Sequence, residues 1–305
     1  MANINFFKKL SPLIFLSVVG TALATDAIKI CVAENNSPYS YPQKNKITGF
    51  DVTLAQQLAA FLGRELVLVP YESKLEGEST LSQEVNAILT SGVCDLSLGF
   101  PLIQADLGAP TRKTAKTPDY PGAQRRPKRP WVELSELINS NGYMSMSLVI
   151  AVKNPQLNSI NFSEPDDIRF GAVSGTVGSA FLLTYKNGVL RKRTKSLSQI
   201  ESVFPYLERN EIDAAIVPSG QYDSWKIDHP GSQVSRSSAL IPLKINLGIV
   251  AVKANSHLMN SVNLFIAQSL KDKALSNWAE SAHLTWFSPV EPTVSGGISI
   301  YDLSR

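Results

Sequence analysis

Short apolar runs alternate with amphipathic segments between residues 27 and 99, and this alternation restricts the fold more than any other feature. The clearest amphipathic segment begins at Phe50, where Leu54 and Leu58 follow on one helical face and Gly63 ends the pattern. Strands that alternate with helices predict a parallel sheet covered by helices. The predicted order is a strand at 27–32, a helix at 50–62, a strand at 65–70, a helix at 79–90 and a strand at 94–99.

A segment rich in proline and positive charge interrupts this alternation. Residues 109–131 read APTRKTAKTPDYPGAQRRPKRPW and contain few apolar groups, which is typical of a surface insertion. A second strand–helix series then predicts a second lobe. Its strands are predicted at 146–153, 170–173, 212–217 and 246–252, and its helices from Ser174-Gly175-Thr176 to about Lys186, at 198–209 and at 257–282.

We therefore predict a two-lobed α/β fold, in which each lobe is a mainly parallel sheet flanked by helices. Ligands of such sheets bind beyond the carboxyl ends of the strands, in the cleft between units. The chain is expected to cross between the lobes near Ala151–Lys153 and near Ile241–Lys244. The expected division is a first lobe at 25–150 with the basic insertion at 106–131, a second lobe at 151–243, a return strand with C-terminal helices at 244–290, and a tail at 291–305.

Residues 1–24 have the pattern of a cleaved secretory signal. Lys8 and Lys9 precede a mostly apolar run, and Ala22-Leu23-Ala24 has the small-x-small pattern of a cleavage site. The alternative is an uncleaved anchor, although the apolar run is shorter than the roughly 20 residues of a membrane span. Cleavage removes two lysines and lowers the formal net charge from +3 to +1. Such a balance gives no indication of a nucleic-acid partner.

Cys31 and Cys94 are the two cysteines of the chain. Since a pair of cysteines in an exported protein is commonly oxidised, we expect a disulfide between them; the alternative is two buried free thiols. His229, His257 and His283 are scattered without metal-ligand spacing. No nucleophile motif is present either, so the sequence predicts neither an enzyme nor a cofactor.

Several segments resemble those of family 3 extracytoplasmic solute-binding proteins. The match begins with residues 37–41 (SPYSY) and 49–52 (GFDV), and it continues through residues 94–99, 170–176 and 212–217. These proteins have the type II periplasmic-binding-protein fold and usually serve ABC importers of amino acids. The resemblance implies a periplasmic monomer that captures a small polar solute, amino-acid-like or a carboxylate, and delivers it to a permease in the inner membrane.

The resemblance also implies a set of ligand-binding residues. An aromatic wall is expected from the loop after the first strand, and an anion contact from the Ser174-Gly175-Thr176 turn at a helix start. The alternatives are packing of the loop against its own lobe and plain N-capping of the helix. The candidate ligand-binding residues are Tyr39, Gly99, Phe100, Arg112, Ser174, Thr176, Ser219 and Tyr222.

At two ligand-binding positions the residues of this sequence differ from those of the amino-acid-binding members. Those proteins carry an arginine shortly after the third strand, which pairs with the ligand carboxylate. Residues 103–106 (IQAD) occupy that region here, and Arg112 is the candidate substitute. Pro218-Ser219 occupies the position of the acidic residue for the ligand ammonium, and Asp223 is its candidate substitute.

A narrower resemblance suggests a second function. The Cys31 strand with its Asn-Asn-x-Pro-aromatic-Ser loop, the second cysteine in Cys94-Asp95, and residues 217–222 (VPSGQY) are similar to MoxJ-type proteins. Those proteins are associated with periplasmic quinoprotein alcohol dehydrogenases. The alternative function is therefore an accessory or interaction protein of a PQQ-dependent dehydrogenase.

Overall fold

The computed structural model describes residues 27–73, 79–157, 160, 162 and 167–299. The predicted signal segment 1–24 and the end of the predicted tail lie outside the described residues. The strands are β1 (Ile28–Ala33), β2 (Tyr41–Gln43), β3 (Lys46–Thr48), β4 (Leu66–Tyr71), β5 (Leu96–Pro101), β6 (Thr114–Ala115), β7 (Val132–Glu133), β8 (Leu137–Asn139), β9 (Met144–Val152), β10 (Phe170–Val173), β11 (Thr194–Leu197), β12 (Ala214–Pro218) and β13 (Ser235–Val252). The α-helices are α1 (Phe50–Phe61), α2 (Leu81–Thr90), α3 (Val177–Gly188), α4 (Phe204–Glu208), α5 (Ser219–Asp228), α6 (Ser256–Lys271) and α7 (Ala274–Ser281).

One nine-stranded sheet runs through both lobes, in the order β11-β10-β12-β9-β13-β5-β1-β4, with β8 beside β13. In the first lobe, β1 pairs in parallel with β4 and β5. In the second lobe, β10 pairs in parallel with β11 and β12. The long strands β9 and β13 are antiparallel to their neighbours and join the two halves. This arrangement confirms the predicted α/β class with a mainly parallel sheet in each lobe.

The first crossing between the lobes comes earlier in the chain than expected. Ala151 and Val152 pair with Ala215 and Ala214 of β12, so they already belong to the second-lobe sheet. The beginning of β9, at Met144, instead pairs with the first-lobe end of β13. The run 146–153 is mostly apolar, and such a pattern predicts the strand but not the point where it passes from one lobe to the other.

The second crossing lies within β13, which is much longer than the predicted strand. Its pairing with β9 shifts register between Pro242 and Asn246, and Lys244 between them has a left-handed φ of 54°. The preceding half, from Ser235, lacks a regular apolar alternation, and the prediction therefore missed it.

Apolar clusters cover both faces of the sheet in each lobe. In the first lobe, α1, α6 and α7 pack on one face, and α2 packs on the other face beside the disulfide. In the second lobe, α3 covers one face and α4 covers the other. The helix predicted at 257–282 is divided into α6 and α7 because Lys273 has a left-handed φ of 57°. The helix predicted at 198–209 is reduced to the short α4.

Cys31 and Cys94 form the expected disulfide, with a sequence separation of 63 residues. It joins β1 to the segment immediately before β5, and both cysteines are buried in the cluster beneath α2. Removing a cross-link of this length is expected to cost about 4 kcal/mol on the chain-entropy model.

The basic insertion is folded onto α2. Arg126 forms an ion pair of 2.9 Å with Glu84, whose side chain is completely buried. Arg129 is also buried; it donates to the backbone oxygens of Gln124 and Thr117 and pairs with Asp119. Two of the cations that made this segment look like a solvated loop are therefore structural.

Candidate functional site

A cavity of about 560 Å³ lies between the two lobes. Its walls come from the loop after β1, from β5, from the crossing parts of β9 and β13, from the starts of α3 and α5, and from the C-terminal segment. The residues that line it are Asn35, Asn36, Ser37, Tyr39, Gly99, Pro101, Met146, Ser147, Leu148, Val177, Pro218, Ser219, Gly220, Gln221, Ser224, Leu243, Leu247 and Ile298.

The loop after β1 is held in place by the start of α1. The N–H groups of Phe50 and Asp51 donate to the carbonyl oxygens of Pro38 and Tyr39, at 3.1 and 2.8 Å. Gly49 precedes the helix with φ 122°, and a Cβ there would lie 2.4 Å from the Tyr39 carbonyl oxygen. Only glycine permits both this φ and this approach. The GFDV segment therefore fixes the position of Tyr39.

Tyr39 spans the cleft and contacts the second lobe. Its ring lies against the first turn of α5, where a Cβ on Gly220 would be 2.6 Å from Tyr39 Cε2. The neighbouring Ser219, at the start of the same helix, is buried and also lines the cavity. Burial, followed by the charges of Asp51 and Asp223, raises the pKa of Tyr39 well above its usual value, so the phenol is neutral.

A buried carboxylate lies behind the first-lobe wall. Asp51, which is 1% exposed, accepts a hydrogen bond of 3.2 Å from the hydroxyl of Tyr143. The same hydroxyl accepts one of 2.8 Å from the Gly99 N–H. Burial raises the pKa of Asp51 to about 7, and the bond from Tyr143 partly opposes this rise. Gly99 has φ 71°, and a Cβ there would be 3.1 Å from Asp51 Oδ2, so glycine lets the strand cover the carboxylate.

The prediction missed Asp51 and Tyr143, although Asp51 belongs to the GFDV segment. An aspartate in the first turn of a helix usually interacts with the helix dipole in solvent, and the sequence gives no sign that Gly99 covers it. The side-chain contact with Tyr143 joins positions 92 residues apart.

At the start of α3 the hydroxyl of Thr176 caps the helix. It accepts from the Ser179 N–H at 3.2 Å and donates to the Val173 carbonyl oxygen at 2.7 Å. Ser174 is exposed, and neither residue lines the cavity. Val177, the first helical residue, does line it. The geometry corresponds to the N-capping alternative for this turn.

Two other predicted residues lie away from the cavity. Phe100 is buried in the cluster around the disulfide, while its neighbours Gly99 and Pro101 line the cavity. Arg112 lies in the insertion, with its guanidinium carbon 5.5 Å from the centre of the Trp131 ring. It does not line this cavity, because the insertion that carries it packs on α2.

Within α5, the predicted Ser219 lines the cavity, whereas Tyr222 packs against the second-lobe cluster on another side of the helix. Asp223, the candidate partner for a ligand ammonium, accepts instead from the N–H and hydroxyl of Thr285, at 2.7 and 2.8 Å. Thr285 follows α7, and its hydroxyl also accepts from Arg236 at 2.9 Å. Asp223 and Arg236 thus join the second lobe to the C-terminal segment.

The described wall of the cavity is made of uncharged side chains. None of the described residues on its wall is an aspartate, glutamate, lysine, arginine or histidine. The remainder of the wall is mainly apolar, and its amide and hydroxyl groups come from Asn35, Asn36, Ser37, Tyr39, Ser147, Ser219, Gln221 and Ser224. In the described part of the chain, no cluster of His, Cys, Asp or Glu is arranged to hold a metal ion.

Several solved structures of substrate-binding and solute-binding proteins are similar to this structure over most of the chain. The second substrate-binding domain of GlnP from Lactococcus lactis, in its open conformation, matches with a TM-score of 0.61 and 15% identity over 85% of this chain and 95% of that one. The second substrate-binding domain of a putative amino acid ABC transporter from Streptococcus pneumoniae matches with 0.59 and 15%, over 85% and 100%. An ancestral cationic amino acid solute-binding protein matches with 0.56 and 19%, over 86% and 96%.

These similarities show that the chain has the two-lobed type II periplasmic-binding-protein fold. A further similar structure is an ancestral cyclohexadienyl dehydratase, with a TM-score of 0.52 and 16% identity over 84% of this chain and 92% of that one. The fold therefore accommodates both binding proteins and an enzyme. No family model and no curated protein matches the chain. Among the described residues, none of the helices has the length and apolar character that a bilayer span requires.

Proposed function

We propose that the protein binds a small solute in the cavity between its lobes. The observation that carries this proposal is the cavity of about 560 Å³, to which both lobes and both crossing strands contribute walls. Its volume lies within the range of ligand pockets. A solute held by both lobes stabilises their closed arrangement, because it makes its full set of contacts only when the lobes are together.

The proposed partner is an ABC permease in the inner membrane, which the closed form of a periplasmic monomer would present with its solute. The support is the likeness in fold to substrate-binding domains, two of which are named as parts of GlnP and of an amino acid ABC transporter. An amino-acid-like or carboxylate solute is the first class to test. We propose no catalysis, because the described wall of the cavity offers only the neutral phenol of Tyr39 as an ionisable group.

The test is thermal unfolding of residues 25–305 against amino acids, small carboxylates, polyamines, alcohols and neutral amides. A solute at about a hundredfold its dissociation constant should stabilise the fold by about 2.7 kcal/mol. Any solute that raises the midpoint is then measured with Ser219→Arg, which places a bulky cation in the cavity, and with Ser232→Arg outside it. Loss of binding in the first variant alone supports the cavity as the site. A panel without any shift contradicts the proposal.

A second candidate function is an accessory protein of a PQQ-dependent dehydrogenase, and one surface feature favours it. Trp131 is 48% exposed and is flanked by Arg112 and Lys116, whose charged groups lie 5.5 and 5.2 Å from the ring centre. Exposed tryptophan and arginine are enriched among residues that dominate protein interfaces. The insertion that carries them is fixed through Arg126 and Arg129, so the surface is already ordered.

The second candidate is tested by titrating a purified dehydrogenase of this class with the wild-type protein and with Trp131→Ala. Loss of affinity of at least about tenfold, or about 1.4 kcal/mol, supports the candidate. The matched control is Leu264→Ala, which removes an exposed side chain on α6 without touching the insertion. Equal affinities of the wild-type protein and Trp131→Ala, or no binding, contradict it.

A further inference from the structure

The charge of the solute can be inferred from the groups that line the cavity. A free amino acid carries a carboxylate and an ammonium, and each loses its hydration when the lobes enclose it. Burial of an ion costs several kcal/mol unless an opposite charge or a set of hydrogen bonds replaces the water. An enclosed amino-acid site therefore needs, for each of the two charges, either an opposite charge or a dense set of hydrogen bonds in its wall.

Neither a cationic nor an anionic side chain is present in the described wall of this cavity. The nearest sequence candidates for the two roles have other partners. Arg112 lies over Trp131 in the insertion, and Asp223 accepts two hydrogen bonds from Thr285. The guanidinium of Arg236 donates to Thr285 as well.

The buried acids near the cavity also oppose a negative solute. Asp51 lies behind Gly99, and Asp223 lies on α5 beyond Ser219. When ionised, which for Asp51 requires a pH above about 7, these carboxylates disfavour ionisation of the Tyr39 phenol in the cavity wall. A carboxylate placed beside that phenol would experience the same repulsion.

The polar groups of the cavity wall are suited to hydrogen bonding with uncharged polar groups of a solute. The Asn35 and Asn36 amides, the Ser147 and Ser219 hydroxyls and the Gln221 amide can donate to or accept from hydroxyl, carbonyl and amide groups. The starts of α3 and α5 add backbone donors for an oxygen atom, since the first N–H groups of a helix have no partner within it. Met146, Leu148, Val177, Leu243, Leu247 and Ile298 supply an apolar surface.

We propose that the cavity selects an uncharged amphipathic solute, one that combines hydroxyl or amide groups with an apolar body, and discriminates against free amino acids and carboxylates. This inference rests on the proposed solute-binding function and narrows its ligand class. It departs from the amino-acid-like or carboxylate ligand that the sequence resemblance implies.

The experiment compares four charge states of one carbon skeleton by calorimetric titration. The leucine set is L-leucine, the anion N-acetyl-L-leucine, the cation L-leucinamide and the neutral N-acetyl-L-leucinamide; a phenylalanine set has the same four members. We expect the neutral member of at least one set to bind at least about tenfold more tightly than its charged relatives, which is about 1.4 kcal/mol.

A charged member that binds as tightly as the neutral one, or more tightly, overturns the inference and leaves solute binding intact. If no member binds, the inference is overturned, while binding of another class in the wider thermal panel still decides the proposed function separately.

A charge-adding variant tests the cause of the selectivity. Gln221 lines the cavity and is exposed, so Gln221→Arg adds a cation without burying a long side chain in the core. This variant should bind the N-acetyl anions at least about tenfold more tightly than the wild-type protein does. Asp228→Asn changes the net charge equally on an exposed part of α5 and should leave the anions unaffected. Unchanged anion binding in Gln221→Arg contradicts the inference that the missing cation sets the preference.

Discussion

Tyr39 of the first lobe packs against Gly220 of the second lobe so closely that a single methyl group cannot be added between them. An ideal Cβ on Gly220 would lie 2.6 Å from Tyr39 Cε2 and 3.2 Å from its hydroxyl oxygen. Ser219, the residue before Gly220, is buried and lines the same cavity as Tyr39. The contact between the lobes thus depends on an aromatic residue on one side and the absence of a side chain on the other.

The first prediction concerns this contact. Gly220→Ala should force the Tyr39 ring away from α5 and shift the protein toward a more open arrangement, since overpacking of this kind typically costs about 1–3 kcal/mol. Small-angle scattering should report a larger radius of gyration than for the wild-type protein. Gly231→Ala is the matched control, because a Cβ there meets no atom within 4 Å.

A second variant separates this explanation from a general loss of stability. Adding Tyr39→Ala to Gly220→Ala removes the clash, so the double variant should not be more open than Tyr39→Ala alone. Identical scattering curves for the wild-type protein and Gly220→Ala would show that the contact does not hold the lobes together.

The second prediction concerns pH and Asp51. Its folded-state pKa of about 7 lies above the ordinary value of 3.8, so the folded protein retains a proton that the unfolded chain releases. Its contribution to stability is complete below about pH 4 and is lost as the pH rises through about 7. Between pH 5 and pH 8 the wild-type protein should lose on the order of 2 kcal/mol of unfolding free energy from this group.

Asp51→Asn cannot ionise and should lose this part of the pH dependence, as measured by urea unfolding at both pH values. The exposed Asp228→Asn is the control and should retain the wild-type difference. A pH dependence that is the same in Asp51→Asn and the wild-type protein would assign it to other groups.

The third prediction concerns the disulfide. Reduction should lower the unfolding free energy by about 4 kcal/mol, because the bond between Cys31 and Cys94 restricts a segment of 63 residues in the unfolded chain. Urea unfolding with and without a thiol reductant measures the difference. A Cys31→Ala/Cys94→Ala double variant should be insensitive to the reductant, and an equal response would point to a nonspecific effect of the reductant.

The fourth prediction concerns the basic insertion. Arg126→Ala leaves the buried carboxylate of Glu84 without its ion-pair partner, and breaking such a pair typically costs about 3–5 kcal/mol. Urea unfolding and trypsin cleavage within residues 110–131 should both show the loss. The exposed Arg125→Ala should have little effect on either. Adding Glu84→Gln should recover part of the stability, and the absence of any recovery would argue against the charge as the cause.

Apolar periodicity predicted the strands and helices that build the two sheets. The strand at 170–173 has the predicted bounds, and α1 ends one residue before the predicted end. Helix α5 was missed because its sequence, SGQYDSWKID, has no regular apolar spacing. That helix carries Ser219 and Gly220, so the position of Ser219 in the site followed only from the resemblance.

The site itself depends on contacts between distant segments. Arg112 was chosen as the cation near the third strand, yet Trp131, nineteen positions later, lies beside it. Asp223 was predicted to bind a ligand ammonium near the cleft, but its carboxylate instead accepts a hydrogen bond from the Thr285 N–H. Residue type and proximity in sequence identified ionisable groups in the correct region, but only the packed structure shows which groups have become partners of one another.

The two strands that join the lobes should restrict how one lobe moves relative to the other. β9 and β13 form an antiparallel ribbon, and residues 243–245 lie between the paired Pro242 and Asn246. Sliding of one strand along the other would break the ladder hydrogen bonds between them, whereas a bend at the unpaired residues 243–245 leaves those bonds in place. We therefore expect a hinge rotation of the lobes about the irregular pairing at residues 243–245, without sliding of one lobe along the other. Such a rotation should separate Tyr39 from Gly220, so the distance between these two residues reports how far the lobes have opened.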